Sequence, residues 1–509
     1  MLAKVYSMTT IGLNPQIIEV EVDLSNGLPS FTIVGLGDTA VQESRERIRS
    51  ALKNSSMEFP MKKITANLAP ADIKKTGPSF DLPMAVGILL ASSQIKRQDF
   101  SKTIFIGELA LEGKLRHTNG ILPIVSYAQE KGFKEIYLPI QDTKEASLIE
   151  KIDVYGITEL KDLINHLNKD KAIEKAKKIS FEEILKNESY KEDFCFIKGQ
   201  EHAKRALEIT AAGAHNILLN GAPGAGKTLM AKAFRTILPP LSKDEAFEVS
   251  KVFSVANLLP ENTPLITERP FRTAHHTASD VSIVGGGKNP RPGEISLAHK
   301  GVLFLDELAE FPSNVLEVLR QPLEDRAITI SRAQGSCTFP ADFTLIGAMN
   351  PCPCGYYGIT ESNKECTCTP GQITKYKKKI SGPLLDRIDL FVDISPIKFE
   401  KLTQKESAEK SSDIRQRIIR ARKNQAKRFT NEDILTNSEM NSNQVEKYCK
   451  IQKDAENLLR QAMRQYALSA RAFHRILKIS RTIADLENDP EIKTIYIAEA
   501  LQFRPQIKE

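Results

Sequence analysis

A chain of 509 residues is too long for one hydrophobic core, so two to four domains are expected. Its hydrophobic (41%) and charged (27%) fractions are ordinary for a soluble globular protein. With no run of eighteen apolar residues and no apolar signal-peptide stretch in "MLAKVYSMTTIGLNPQ", neither a membrane span nor export is expected; the expectation is a cytoplasmic protein whose formal charge of +7 is compatible with a nucleic-acid partner.

Residues 1–167 alternate short β-rich runs with amphipathic helices, an α+β pattern. "IIEVEVDL", "FTIVGL", "KITANLAP", "TIFIGELAL" and "EIYLPI" read as strands. "AVQESRERIRSALKNS" reads as a helix with Val41, Ile48 and Leu52 on one face. "KKTGPSFDLPMAVGIL" places Ser79 in a Gly-Pro-Ser turn before an apolar helix, with Asp81 as its expected cap and Pro83 in its first turn. Residues 168–194 are charged and read as a linker with one short helix, opened by Ser180 and Glu183 in a capping-box pattern.

The next region, 195–397, carries the chemistry. Ile217 to Leu219 form an apolar strand, and Gly221-Ala222-Pro223-Gly224-Ala225-Gly226-Lys227-Thr228 follows it with the P-loop spacing ahead of an amphipathic helix. Glycines let backbone N–H groups wrap the phosphates of ATP, Lys227 neutralises their charge, and Thr228 is a ligand for Mg²⁺. A second buried strand, Val302 to Leu305, delivers Asp306 to the Mg²⁺ shell and Glu307 to orient the attacking water. A third, "FTLIGAMN", ends in Asn350, which is placed to position water, although strand-end asparagines are also common turn formers. "AITISRAQGSCTFPADF" alternates as a β-hairpin with its turn near Gln334-Gly335; Arg332 near the tip is either a phosphate contact or a solvated charge.

Seven cysteines, an odd number, argue against a disulfide framework. Four of them, Cys352, Cys354, Cys366 and Cys368, fall in one loop (350–371) and suit a closed tetrahedral Zn²⁺ site; four reduced thiols are the other reading. Beyond residue 398 the strands stop, and 398–509 reads as a helical domain. The basic runs Lys375–Lys379 and Arg415–Arg428 are either phosphate-contacting surfaces or solvated helix faces.

These pieces in this order resemble the AAA+ ATPases of the magnesium-chelatase-like group. "RTAHHTASDVSIVGGGKNPRPGEISLAHKGVLFLDE", "AMNPCPCG" and "SGPLLDRIDL" together are similar to the ComM/YifB family of bacterial competence-associated proteins. The resemblance runs end to end. It implies an α/β fold in three parts: an N-terminal Lon-protease-like (ribosomal S5 domain 2-like) domain, a P-loop AAA+ core, and a C-terminal helical lid. The core would carry a helix-2 insertion from Phe271 to Glu294, and the hairpin would lie before the sensor-1 strand.

The resemblance also implies that Asn350 is sensor 1, Arg471 is sensor 2, and Arg387 is an arginine finger reaching a neighbouring subunit's nucleotide. A ring, expected to be a hexamer, follows from such a finger. The implied activity is ATP-driven branch migration on single-stranded and branched DNA during natural transformation. A chaperone or metal-chelatase-type remodelling ATPase acting on a protein is the alternative. Ser79 falls where Lon keeps its nucleophile, but the position of the base lysine reads Leu122, so no peptidase activity is expected. Lys74 and Lys75 then become candidate contacts to DNA or to a neighbouring subunit.

Overall fold

The computed structural model describes residues 2–97, 99–184, 192–260, 263–287, 290–332, 335–358, 364–396, 408–466 and 468–504. The first strands are β1 (Leu2–Ile11) and β2 (Asn14–Ser25), an antiparallel hairpin in register from Leu2↔Asp23 to Ile11↔Asn14. In β2 every second residue from Ile18 to Leu24 is buried, the period-2 pattern of a sheet with one covered face. With β3 (Ser30–Val34), β4 (Lys63–Ala69), β5 (Thr103–Phe105), β8 (Glu135–Pro139) and β9 (Asp153–Ile157), the described residues form a sheet of order β3-β4-β2-β1-β5-β8-β9. The helix Thr39–Asn54 is capped by Asp38, which accepts from Val41 N at 3.0 Å, and it buries Val41, Ile48 and Leu52 as its sequence predicts.

Three local expectations need correction. "TIFIGELAL" is not one strand: after β5 the chain leaves the sheet, and β6 (Glu108–Leu109) pairs with β7 (Leu115–Arg116) in a separate ribbon. The cause is competition for backbone groups, since Gly107 N donates to Ser79 O (3.0 Å) and Leu109 N to the Asp81 carboxylate (3.2 Å). Asp81 is therefore not a helix cap. It begins the helix Asp81–Ala91, is fully buried, and accepts from Arg47 Nε (2.7 Å) and Ser44 Oγ. Lys75 is buried and donates to Pro70 O, which removes it as a surface contact. Leu122 is buried in the helix Ile121–Glu130.

The second sheet is wholly parallel: β10 (Ile217–Gly221), β11 (Phe271–Ala274), β14 (Val302–Leu305), β17 (Thr344–Met349) and β18 (Leu390–Ile394), in the order β11-β14-β17-β10-β18. Helices cover it, so its strands are almost continuously apolar. Phe271–Ala274, expected within an insertion, is the edge strand of this core; the excursion starts after Ala274 and includes the ribbon β12 (Gly285–Gly286) with β13 (Arg291–Pro292). The hairpin β15 (Ala327–Arg332) with β16 (Gly335–Pro340) forms as read, but its turn at 333–334 and the Arg332 side chain lie outside the described residues. The basic run Arg415–Arg428 lies on the helix Ser411–Arg428 and partly faces inward: Arg417 pairs with Glu208, Arg428 with Asp485, and Arg415 and Arg422 donate to carbonyls. Arg420, Lys423 and Lys427 remain exposed.

The two sheets are joined by a shared core. Met8, Ile104, Ile124 and Val125 pack in one cluster with Val249, Val252 and Phe253 of the helix Lys243–Ala256. The β1–β2 turn also meets the hairpin: a Cβ added at Gly12 (φ 60°) would lie 1.9 Å from Cys337 Sγ. Beside this seam, His117 Nδ1 lies 2.5 Å from Asp142 Oδ1 and its Nε2 lies 3.0 Å from Asn257 Oδ1. Glu145 accepts from Leu122 N (2.7 Å) and Ser254 Oγ (2.5 Å).

The neighbouring Asp142 carboxylate raises the His117 pKa to about 9, and burial pushes Glu145 up to about 7. Both folded-state values exceed the unfolded ones, so each contribution is complete below the unfolded pKa and is lost as pH rises through the folded value. The seam is therefore expected to loosen from about pH 4.5 to 9, through Glu145 up to pH 7 and through His117 from pH 6.5 upward. Hydrogen exchange of the helix Lys243–Ala256, corrected for intrinsic rate, should rise over that window, and His117→Gln should remove its upper part. Exchange independent of pH would refute this.

Candidate nucleotide site at the end of the parallel sheet

The order of the parallel strands reverses beside β10: the chain leaves β10 for the far edge, returns through β14 and β17, and closes with β18 on the other side. In open parallel sheets the crevice at the carboxyl ends of the strands, at such a reversal, is where ligands bind. The loop 221–226 leaves β10 at that point and runs into the helix Lys227–Phe234. Gly224 (φ 77°) and Gly226 (φ 90°) adopt the left-handed conformation that other residues resist, and the space beside each is open. This loop therefore fits a phosphate chain held on backbone N–H groups at a helix N-terminus.

The predicted side chains converge here. Lys227 Nζ donates to Gly221 O (2.6 Å), Ala222 O (2.9 Å) and Asn350 Oδ1 (3.0 Å). Burial holds its ammonium pKa below the usual range, so an anion would be a stronger partner than these carbonyls. Thr228 Oγ1 donates to Asp306 Oδ2 at 2.9 Å, which sets side by side two oxygens suited to one Mg²⁺. Glu307 follows in the left-handed region (φ 53°), with its N–H on Asp306 Oδ1.

Sequence reasoning passed over one neighbour of this group. His276 Nδ1 is 3.1 Å from Glu307 Oε2, and the His275 and His276 rings are 4.2 Å apart. Both histidines follow the edge strand β11, which pairs with β14 and so ends beside Asp306. The "AHHT" stretch held the signal, but only the strand order shows that it reaches Glu307.

Arg387 and Arg471 do not join the cluster. Leu390, three residues after Arg387, pairs with Ile217 at the start of β10, whereas Gly221 at its end pairs with Ile394. Five strand residues separate those ends by about 13 Å, beyond the reach of an arginine side chain. Arg387 instead pairs with Glu324 and donates to Pro383 O (2.6 Å). Arg471, at the start of the helix Ala470–Leu486, is exposed and lies 3.7 Å from Asp386. Both line one cleft that also includes His474, Arg475 and Lys478.

The four loop cysteines do converge. Cys352 Sγ is 3.3 Å from Cys354 Sγ and 3.7 Å from Cys366 Sγ, and Cys354 and Cys366 are 3.6 Å apart. All four sulfurs lie within 4.8 Å of one another. Tetrahedral Zn²⁺ with Zn–S of about 2.3 Å requires S–S edges of about 3.8 Å, so the group fits that ion. The loop also touches the P-loop: a Cβ on Gly355 would lie 2.6 Å from Pro223 Cδ.

Comparison with known proteins matches three stretches of the chain to family models. Residues 193–402 match the family described as magnesium chelatase, subunit ChlI. Residues 20–142 match subunit ChlI of Mg-chelatase, and 408–504 match the ChlI C-terminal family. The chain is 43% identical to the competence protein ComM of Haemophilus influenzae, over 100% of this chain and 98% of that one. It is 39% identical to the YifB protein of Escherichia coli, over 99% and 97%. A magnesium-chelatase 67 kDa subunit of Chlorobaculum tepidum is 27% identical over 31% of this chain and 23% of its own length.

Proposed function

The chain belongs to the ComM/YifB family and carries a magnesium-chelatase-like AAA+ α/β domain; from that premise we propose that it is an ATP-driven ring motor acting on DNA. The observation that carries the ATPase reading is the convergence of Lys227, Thr228, Asp306 and Asn350 by hydrogen bonds at one end of a parallel sheet. In this reading residues 1–167 are a Lon-like domain without peptidase chemistry, 195–397 the ATPase core, and 398–509 its lid. Lys227 transfers its hydrogen bonds from the loop carbonyls to the phosphates. Glu307 orients the attacking water, and Asn350 holds it near the terminal phosphate. Mg²⁺ held by Thr228 and Asp306 would neutralise charge on the phosphates.

Arg387 and Arg471 face away from their own P-loop, which supports a role at a neighbour's nucleotide and hence a closed ring, in our reading a hexamer. The DNA assignment, and branch migration during natural transformation in particular, draws on the likeness to a competence protein. The test is ATP hydrolysis and strand movement on labelled three- and four-strand junctions, with and without DNA. Stimulation by branched DNA together with ATP-dependent strand movement is expected. ATPase indifferent to every DNA, with no strand movement, would favour the protein-remodelling alternative.

Two further expectations attach to this site. His276→Ala removes the imidazole that lies 3.1 Å from the Glu307 carboxylate, so kcat should fall several-fold while KM for ATP stays within about two-fold, and His276→Asn should restore much of the native rate. An unchanged kcat would remove His276 from the positioning of Glu307. For the cysteines, the purified protein should contain near-stoichiometric zinc that Cys352→Ser/Cys366→Ser removes. Because the loop packs on Pro223, zinc removal should also weaken ATP binding about ten-fold. Protein purified without zinc and binding ATP normally would end the proposal.

A further inference from the structure

At the strand-start end of the parallel sheet, opposite the P-loop, a cavity of about 250 Å³ opens between the core and the C-terminal helices. Its core wall includes Asn216, Gly301 and Thr344; the helical side contributes Arg422, Thr436 and Lys478. Three ion pairs lie in the lining. Arg269 bonds Glu245 at 2.9 Å, Lys300 bonds Asp342 at 2.8 Å, and Arg326 bonds Glu439 at 2.7 Å. The fourth lining carboxylate, Asp389, accepts from Asn216 N and His215, with Arg475 at a loose 3.9 Å.

Of the remaining cations, Arg387 and Arg475 reach carboxylates outside the lining, Glu324 and, at 3.8 Å, Asp386, whereas Arg422 and Lys478 have no carboxylate partner among the described residues. Arg422 donates only to Ala211 O, through Nε and Nη2, and Lys478 donates to Ser438 O at 2.9 Å, among the described residues. Arg387 also lines this space; its carboxylate partner Glu324 lies outside the lining, and its Nε is buried with no hydrogen-bond partner. The lining thus holds three more cations than carboxylates. Burial, with Arg269 close by, holds the Arg422 pKa down to about 10, and burial lowers Lys478 as well. Carbonyl dipoles compensate a guanidinium or ammonium only partly, so charged groups set around a shared space destabilise the closed arrangement unless an anion enters.

We infer that this cavity binds a small phosphate-class oxyanion that ties the helical region to the ATPase core through Arg422 and Lys478. Its volume falls below the roughly 300–1,000 Å³ of drug-sized pockets, which suits phosphate or pyrophosphate and is too small for a DNA strand. The site is distinct from the chain's own P-loop, because it lies at the opposite ends of the same strands, and it rests on Arg422 and Lys478 rather than on Arg387, which the proposed function assigns to a neighbour's nucleotide. It also does not depend on the substrate of the motor.

The test uses the full chain carrying Lys227→Ala, which disables the P-loop as a phosphate site. Pyrophosphate, inorganic phosphate and ATP are added separately, against chloride at equal ionic strength. Pyrophosphate is expected to raise Tm by about 2 °C or more, and equilibrium dialysis should give one bound pyrophosphate per chain. In Lys227→Ala/Arg422→Gln and Lys227→Ala/Lys478→Gln both effects should fall at least several-fold, while Arg422→Lys in the same background should retain binding. A response to ATP equal to that to pyrophosphate would identify the source as a nucleotide's phosphate tail; a response to the inorganic ions alone would identify a free anion. No bound pyrophosphate in Lys227→Ala, or equal binding in both double variants, would overturn the inference. Should a double variant fail to fold, the dialysis stoichiometry of Lys227→Ala decides by itself.

Discussion

Lys227→Ala is expected to lower ATP hydrolysis at least about 100-fold and to abolish any ATP-driven strand movement, with little change in Tm. The size follows from removing a preorganised cation from the site where negative charge develops, an effect on the order of 10²–10³ when a single such donor is lost. The small stability cost follows from its partners. Lys227 Nζ bonds two loop carbonyls and Asn350, and it is buried with no carboxylate in hydrogen-bond contact among the described residues, so truncation leaves no buried charge unpaired there. ATPase rates and thermal unfolding measured on the same preparation check both halves. A variant that keeps more than a tenth of the native rate would remove the P-loop from the mechanism.

Arg387→Ala should be at least as severe, on the order of 10³-fold, and its loss should be repairable from outside the chain. Arg387 sits beyond the start of β10 and β18, whereas Lys227 sits beyond their ends, so no single chain can bring the two together. Mixing Arg387→Ala with Lys227→Ala creates interfaces in which an intact arginine faces an intact P-loop. ATP hydrolysis by the mixture is therefore expected to exceed the sum of the separate variants many-fold. A mixture no better than that sum would place the arginine's role within its own subunit. Because Glu324, the partner of Arg387, is itself exposed, Glu324→Gln should fold normally and serves as the control for loss of that pairing.

Much of the candidate site was legible because its chemistry is local in sequence. Lys227 and Thr228 adjoin glycines whose positive φ the loop requires, and Asp306 and Asn350 each close an apolar run. Strands with a strict alternation, such as β2, could be read for the same reason. What escaped depends on contacts between distant segments. The destination of the Asp81 carboxylate is set by Arg47 and Leu109, and the approach of His276 to Glu307 by the pairing of β11 with β14. The basic run Arg415–Arg428 carries seven charges in sequence, yet nothing local reveals which of them Glu208 and Asp485 will take up. The opening strand β1 lacks such a strict alternation, since Ser7, Met8 and Thr9 are buried in succession.

The seam between the two sheets bears on how the molecule melts. Helix Lys243–Ala256 contributes Val249, Val252 and Phe253 to a core whose other half comes from β1, β5 and helix Ile121–Glu130. The turn at Gly12 seats on Cys337 with no room for one methyl group. Cutting the chain at residue 168 would thus expose apolar faces on both fragments, and neither half would be an independent unit of stability. Heating should give a single cooperative transition spanning residues before and after that point, and an isolated ATPase fragment should be prone to aggregate.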